Sequence, residues 1–177
     1  MDCYKKRLIR KLKVKSSETQ EELSSIESIF DQAVPLFCEA VSSFCLENSR
    51  KNPLEDLKDS SEEESDTISD GIKSIFRKIA VKTHPDKIEN SESSIHQYHD
   101  VTTAKKDKDV NKIISIAKEL KVDINDISYS DIKIIENSIK KTEDKIHKIT
   151  KSYPWIWFFS EDGKRFKIIQ EFVINQV

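Results

Sequence analysis

Glycine and proline are nearly missing from this chain, with two and four among 177 residues. A β-sandwich or barrel needs far more turn-formers than that. Cysteine is scarce too: Cys3, Cys38 and Cys45 are odd in number and lack CxxC spacing. This excludes a disulfide framework and a four-cysteine metal module, and reads as reduced thiols in an intracellular protein. No run of consecutive apolar residues is long enough to span a bilayer, and the N-terminal MDCYKKRLIRKLK has no apolar signal core. The expectation is therefore no membrane, with the cytoplasm as location and the nucleus as second choice. A net charge of −2 gives no global reason to bind nucleic acid or lipid.

What the chain does have is charge in small blocks and apolar residues in helical step. Hydrophobic residues make up 36% and charged residues 35%, a ratio that suits slender helices, each burying one stripe, better than a thick core. All-α is the expected class.

The most informative stretch is Gly71–Lys87, GIKSIFRKIAVKTHPDK. Ile72, Ile75, Phe76 and Ile79 recur at three and four and share one helix face. Lys73, Arg77, Lys78 and Lys82 fall on the opposite half of the wheel, and no acidic residue intervenes before Asp86. The helix should stop near Thr83, because the residue before a proline is steered out of the helical region. His84, Pro85 and Asp86 then form a stiff polar corner followed by Lys87.

In these residues the chain resembles the J-domain (DnaJ-like) co-chaperones, whose second helix ends in a pattern like Y-R-K-L-A-x-K-x-H-P-D-K. Here it reads Phe76-Arg77-Lys78-Ile79-Ala80-Val81-Lys82-Thr83-His84-Pro85-Asp86-Lys87. A lone His-Pro-Asp is a weak signal; after a basic amphipathic helix in register it is a specific one. The resemblance implies an antiparallel helical hairpin with the His-Pro-Asp loop at its tip. It also implies docking on a heat-shock-70 (DnaK-type) chaperone whose ATP hydrolysis is stimulated. Carried over, the chaperone-binding residues are His84, Pro85 and Asp86, then Lys73, Arg77, Lys78, Lys82 and Lys87. The returning helix has Ile95, Tyr98, Val101 and Ala104 at spacings of three, with Lys105 where the family has a tyrosine. No Y-x-x-L-G helix directly precedes the basic one, so helix I is missing, degenerate or recruited from the N-terminal region. The Gly/Phe-rich region and zinc module of longer members are absent.

Around this hairpin the chain divides into blocks. Residues 1–50 read as amphipathic helices. Lys5–Lys15 is basic with Leu8, Ile9 and Leu12 interleaved, a short helix or arm, or else an import or polyanion-binding segment. Ser17 with Gln20 has capping-box spacing for a helix start, and Pro35 opens or kinks another. Residues 51–69 are an acidic Ser/Glu-rich linker, either a spacer or a segment that masks the basic helix. Residues 70–107 form the hairpin. Residues 108–177 form a helical extension. Its first helix is expected near Asp109–Lys121, and a long stripe follows in Ile132, Ile135, Ile139, Thr142, Ile146 and Ile149. That stripe either folds back on its own domain or makes a coiled-coil dimer seam. Tyr153-Pro154-Trp155-Ile156-Trp157-Phe158-Phe159 either clamps a core or forms a partner surface. The continuation through this Trp-x-Trp cluster resembles the tails of J-domain-like proteins of large DNA viruses.

The implied function is a co-chaperone, not an enzyme, recruiting the chaperone to a client or adaptor through the flanking helices; no cofactor or metal is expected. The alternative is a helical adaptor whose J-like hairpin is inactive toward the chaperone. His96, His99 and Asp100 share a helix face and could hold a metal, though surface histidines explain them as well. Nucleic acid is not an expected partner, since no recognition module accompanies the basic segments.

Overall fold

A computed structural model describes residues 3–56, 68–84 and 92–175. The described residues are all-helical: α1 (Cys3–Glu47), a 3₁₀ turn (Pro53–Asp56), α2 (Asp70–Thr83), α3 (Glu92–Lys106), α4 (Val110–Glu119), α5 (Tyr129–Thr150), α6 (Tyr153–Phe158) and α7 (Asp162–Asn175). They divide into two compact units. One draws on Met1–Glu22 and Glu64–Asp144, the other on Leu23–Glu63 and Lys145–Val177. Tertiary contact thus groups the chain differently from the sequence blocks 1–50, 51–69, 70–107 and 108–177.

α1 corrects two expectations. It runs unbroken through Ser17 and carries Pro35 inside it. Ser17 donates to Glu21 Oε1 at 2.9 Å, while Gln20 accepts from Asn111 Nδ2 at 3.4 Å, so neither residue serves a cap. Pro35 costs the helix one backbone bond, offset in part by the burial of Ala33, Phe37 and Val41 around it. α1 is also long and apolar enough, by length and composition, to cross a bilayer. One 18-residue window has mean hydropathy 1.3, with 28% of it buried in the fold. The sequence expectation counted consecutive apolar residues, whereas a window average tolerates the few polar residues that interrupt them. A core helix of a water-soluble protein has the same character.

In the first unit, Ile9 and Leu12 of α1, Ile72, Ile75 and Ile79 of α2, Val101 and Ala104 of α3, Ile113, Ile114 and Ala117 of α4, and Ile132, Ile135 and Ile139 of α5 form one core. The first part of the α5 stripe, Ile132, Ile135 and Ile139, therefore folds back on its own unit, with Thr142 buried beyond it; Ile146 and Ile149 are half-buried. Ile95 breaks the expected pattern and is exposed. Three-residue steps lag a 3.6-residue turn by 60° each, so Ile95 lies about 120° away from Val101. A buried amide sets the register of α1, α4 and α5. Asn111 accepts from Ser16 Oγ at 2.6 Å and donates to Thr142 Oγ1 at 3.0 Å, while its backbone N–H donates to Ser138 Oγ at 2.9 Å. Such a fully partnered polar cluster tolerates little sliding between helices.

The second unit is built on aromatic edges. Phe37 meets Phe172 at 5.2 Å and Trp157 at 5.8 Å, and Tyr153 meets Phe172 at 5.2 Å, all edge-to-face. Val41, Cys45, Ile169 and Val173 complete this core. Arg165 stacks 5.1 Å over Trp157 and donates to the Trp157 and Phe158 carbonyls at 3.2 and 3.0 Å, closing the end of α6. Tyr153 and Trp157 pack on the core, as the clamp reading expects, Trp155 is half-buried, and Ile156 and Phe159 are exposed.

Candidate partner-docking face

α2 begins at a shared anchor. Ser69 is its N-cap, accepting from the Ile72 N–H at 3.3 Å and donating to Asp131 Oδ1 at 2.6 Å. Asp131 Oδ2 accepts from Ser128 N and Ser128 Oγ, both at 2.7 Å, and Ser128 Oγ in turn accepts from Asp131 N at 3.1 Å. This is a reciprocal capping box at the start of α5. One buried carboxylate thus ties the N-termini of α2 and α5 together. Burial by itself would raise its pKa. The hydrogen bonds from Ser69 and Ser128, with the positive charge of Lys5, outweigh that and hold it below the usual aspartate range. Gly71 makes the approach possible, because a Cβ there would lie 2.5 Å from Asp131 Cγ.

From that anchor α2 buries Ile72, Ile75, Ile79 and Thr83. It stops where the sequence predicts. His84 takes φ −62° and ψ 127°, the extended conformation imposed by the following proline. The His84 ring is half-buried and meets the Tyr98 ring of α3 edge-to-face, with centroids 5.4 Å apart. Further along, the Lys105 ammonium sits 4.2 Å over the Phe76 ring. The pairs 84/98 and 76/105 advance in opposite directions, so α2 and α3 run antiparallel. Where an aromatic contact was expected to be lost at Lys105, a cation–π contact replaces it. Pro85, Asp86 and Lys87 lie outside the described residues.

The basic residues divide by their partners. Lys73 forms a surface ion pair with Asp70 at 3.0 Å, and Arg77 is exposed. Lys78 donates to the Asp123 carbonyl at 3.0 Å and to Asp126 Oδ2 at 3.1 Å; Lys82 donates to the Leu120 carbonyl at 2.9 Å. Lys13 of α1 reaches the Val122 carbonyl at 2.7 Å. Burial lowers the Lys13 pKa and Lys82 lowers it further, against the opposing pull of Asp123. Three cations therefore close the C-terminal end of α4, where the helix dipole favours positive charge. Two of the four basic residues that the sequence placed on a free face also hold the molecule's own 120–126 loop.

Between α2 and this loop lies an open cavity of about 460 Å³ whose lining includes Arg77, Lys78, Val81, Lys82, Val122 and Asp123. The sequence pointed to its cations through helical spacing. It gave no sign of Lys13, Val122 or the loop carbonyls, since a backbone acceptor carries no residue signature. Ser128 and Asp131 had a readable signal, the S-x-x-D spacing of a capping box. His96 and His99 are exposed, and among the described residues no three His, Cys, Asp or Glu side chains come together to hold a metal.

No family model, curated protein or solved structure matches this chain.

Proposed function

We propose that this chain is a J-domain-type co-chaperone that docks α2 and the His84-Pro85-Asp86 corner on a heat-shock-70 chaperone and stimulates its ATP hydrolysis. The observation carrying this reading is His84. It leaves the helical conformation at the end of a basic helix and rests against Tyr98 of the antiparallel return helix, which orders the start of the corner before any partner arrives. The first turns of α1 support it too. Ile9 and Leu12 pack in the same core as Ile72, Ile75 and Ile79, supplying the third helical wall that the sequence lacks directly before α2. Lys73, Arg77, Lys78, Lys82 and Lys87 steer the encounter with an acidic surface; His84, Pro85 and Asp86 make the short-range contacts. Hydrolysis belongs to the partner, and the flanking helices bind the client or adaptor.

A second reading is an adaptor with a chaperone-inactive hairpin, favoured by one observation: Lys78 and Lys82 are already engaged with the 120–126 loop. These bonds are solvent-exposed and can be exchanged for intermolecular ones at small cost. Single-turnover ATP hydrolysis by a purified chaperone separates the readings. The co-chaperone accelerates it and His84→Gln does not, with helicity unchanged. No acceleration by either protein supports the adaptor, and acceleration that His84→Gln retains contradicts the co-chaperone reading.

A further inference from the structure

We infer that the cavity between α2 and the 120–123 segment receives an apolar side chain from an acidic peptide segment of a partner protein. This rests on the reading of α2 as the partner-facing helix, and adds what that partner must carry. Val81 is 57% exposed beside Arg77, Lys78 and Lys82, and Val122, a core residue from outside the hairpin, lies at the cavity wall. A surface evolved only to attract charge gains nothing from an exposed valine over a pocket of about 460 Å³. The local charge favours an acidic occupant. Lys13, Arg77, Lys78 and Lys82 stand against Asp123 and Asp126, an excess of two positive charges. Donors remain as well. An ammonium has three; on described partners Lys82 uses one and Lys78 two, and the exposed guanidinium of Arg77 adds a fork suited to a carboxylate. A nucleic acid or free phosphate would answer the cations but leave Val81 uncovered. A leucine or isoleucine flanked by Asp or Glu answers both.

The test uses the full chain and a fluorescein-labelled octapeptide, Asp-Glu-Asp-Leu-Leu-Asp-Glu-Asp, with a Leu→Ser version as control, read by fluorescence anisotropy at low salt. The leucine peptide should bind, and the serine peptide should bind about tenfold more weakly. Val81→Ser should cause a comparable loss while Val81→Ile restores binding. Arg77→Gln should flatten the salt dependence. Val81 is exposed, so these variants leave the core intact, and circular dichroism checks that they do. The inference is overturned if the leucine peptide does not bind, if the two peptides bind alike, or if Val81→Ser binds as wild type. Displacement of the peptide by an equimolar oligothymidylate would also overturn it, reassigning the face to nucleic acid. No chaperone is present, so failure here leaves the hydrolysis assay standing, and failure there leaves this result standing.

Discussion

Asp131 accepts hydrogen bonds from Ser69, the N-cap of α2, and from Ser128, the residue before α5. Gly71 leaves room for that carboxylate and has no positive φ to explain it otherwise. In an ordinary helix Gly→Ala stabilises by about 1 kcal/mol. Here Gly71→Ala should instead destabilise by about 1–3 kcal/mol in urea unfolding, because the new methyl overlaps the carboxylate. In an Asp131→Ala background the same change should turn stabilising; an unchanged sign would show that the crowding is not the cause. The pH dependence follows from the depressed pKa. An unfolded aspartate titrates near 3.9, so the ionised carboxylate stabilises the fold above that value. The contribution is lost as pH falls through the lower folded value. The urea-midpoint gap between wild type and Asp131→Asn should be constant above about pH 5 and shrink below about pH 4. A gap that ignores pH would contradict this.

Three helices end in the same way without glycine. Ser49, Lys108 and Lys121 take positive φ of 50°, 56° and 51° just beyond α1, α3 and α4. Each is followed by a residue whose N–H reaches back to the last turn: Arg50 to Cys45, Asp109 to Ala104, and Val122 to Ala117. These are Schellman stops, normally made with glycine because a Cβ is strained there. Lys108→Gly should therefore stabilise by about 0.5–1 kcal/mol, seen as a higher urea midpoint at unchanged slope; a loss of stability would contradict it. The same residues explain what could be read in advance. Apolar spacing gave the buried faces of α2, α4 and α5, and Pro85 gave the end of α2. The ends of α1, α3 and α4 showed only as the apolar spacing running out near 50, 107 and 121; the lysine and serine stops themselves carry no residue signature. Ser17 and Gln20 gave a false start because the polar pair serves helix-to-helix contacts instead. The cations of α2 were legible, but their acceptors on the 120–126 loop were not.

At the scale of the whole chain, an isoleucine-rich core holds α2 and α3 together with the first turns of α1, and a separate aromatic core joins the rest of α1 to α6 and α7. Both tryptophans lie in the second unit, so their fluorescence reports on it, and perturbations of the hairpin need a backbone probe. Our proposal places partner recognition on the first unit: a basic helix held at one end by Asp131, with His84 leading into the corner at the other. The most direct check is the rate of single-turnover ATP hydrolysis by a heat-shock-70 chaperone with the full chain added. The account predicts a salt-sensitive acceleration that His84→Gln and Asp86→Asn each abolish while helicity is kept. Acceleration that survives both substitutions, or none with the wild-type chain, would contradict it.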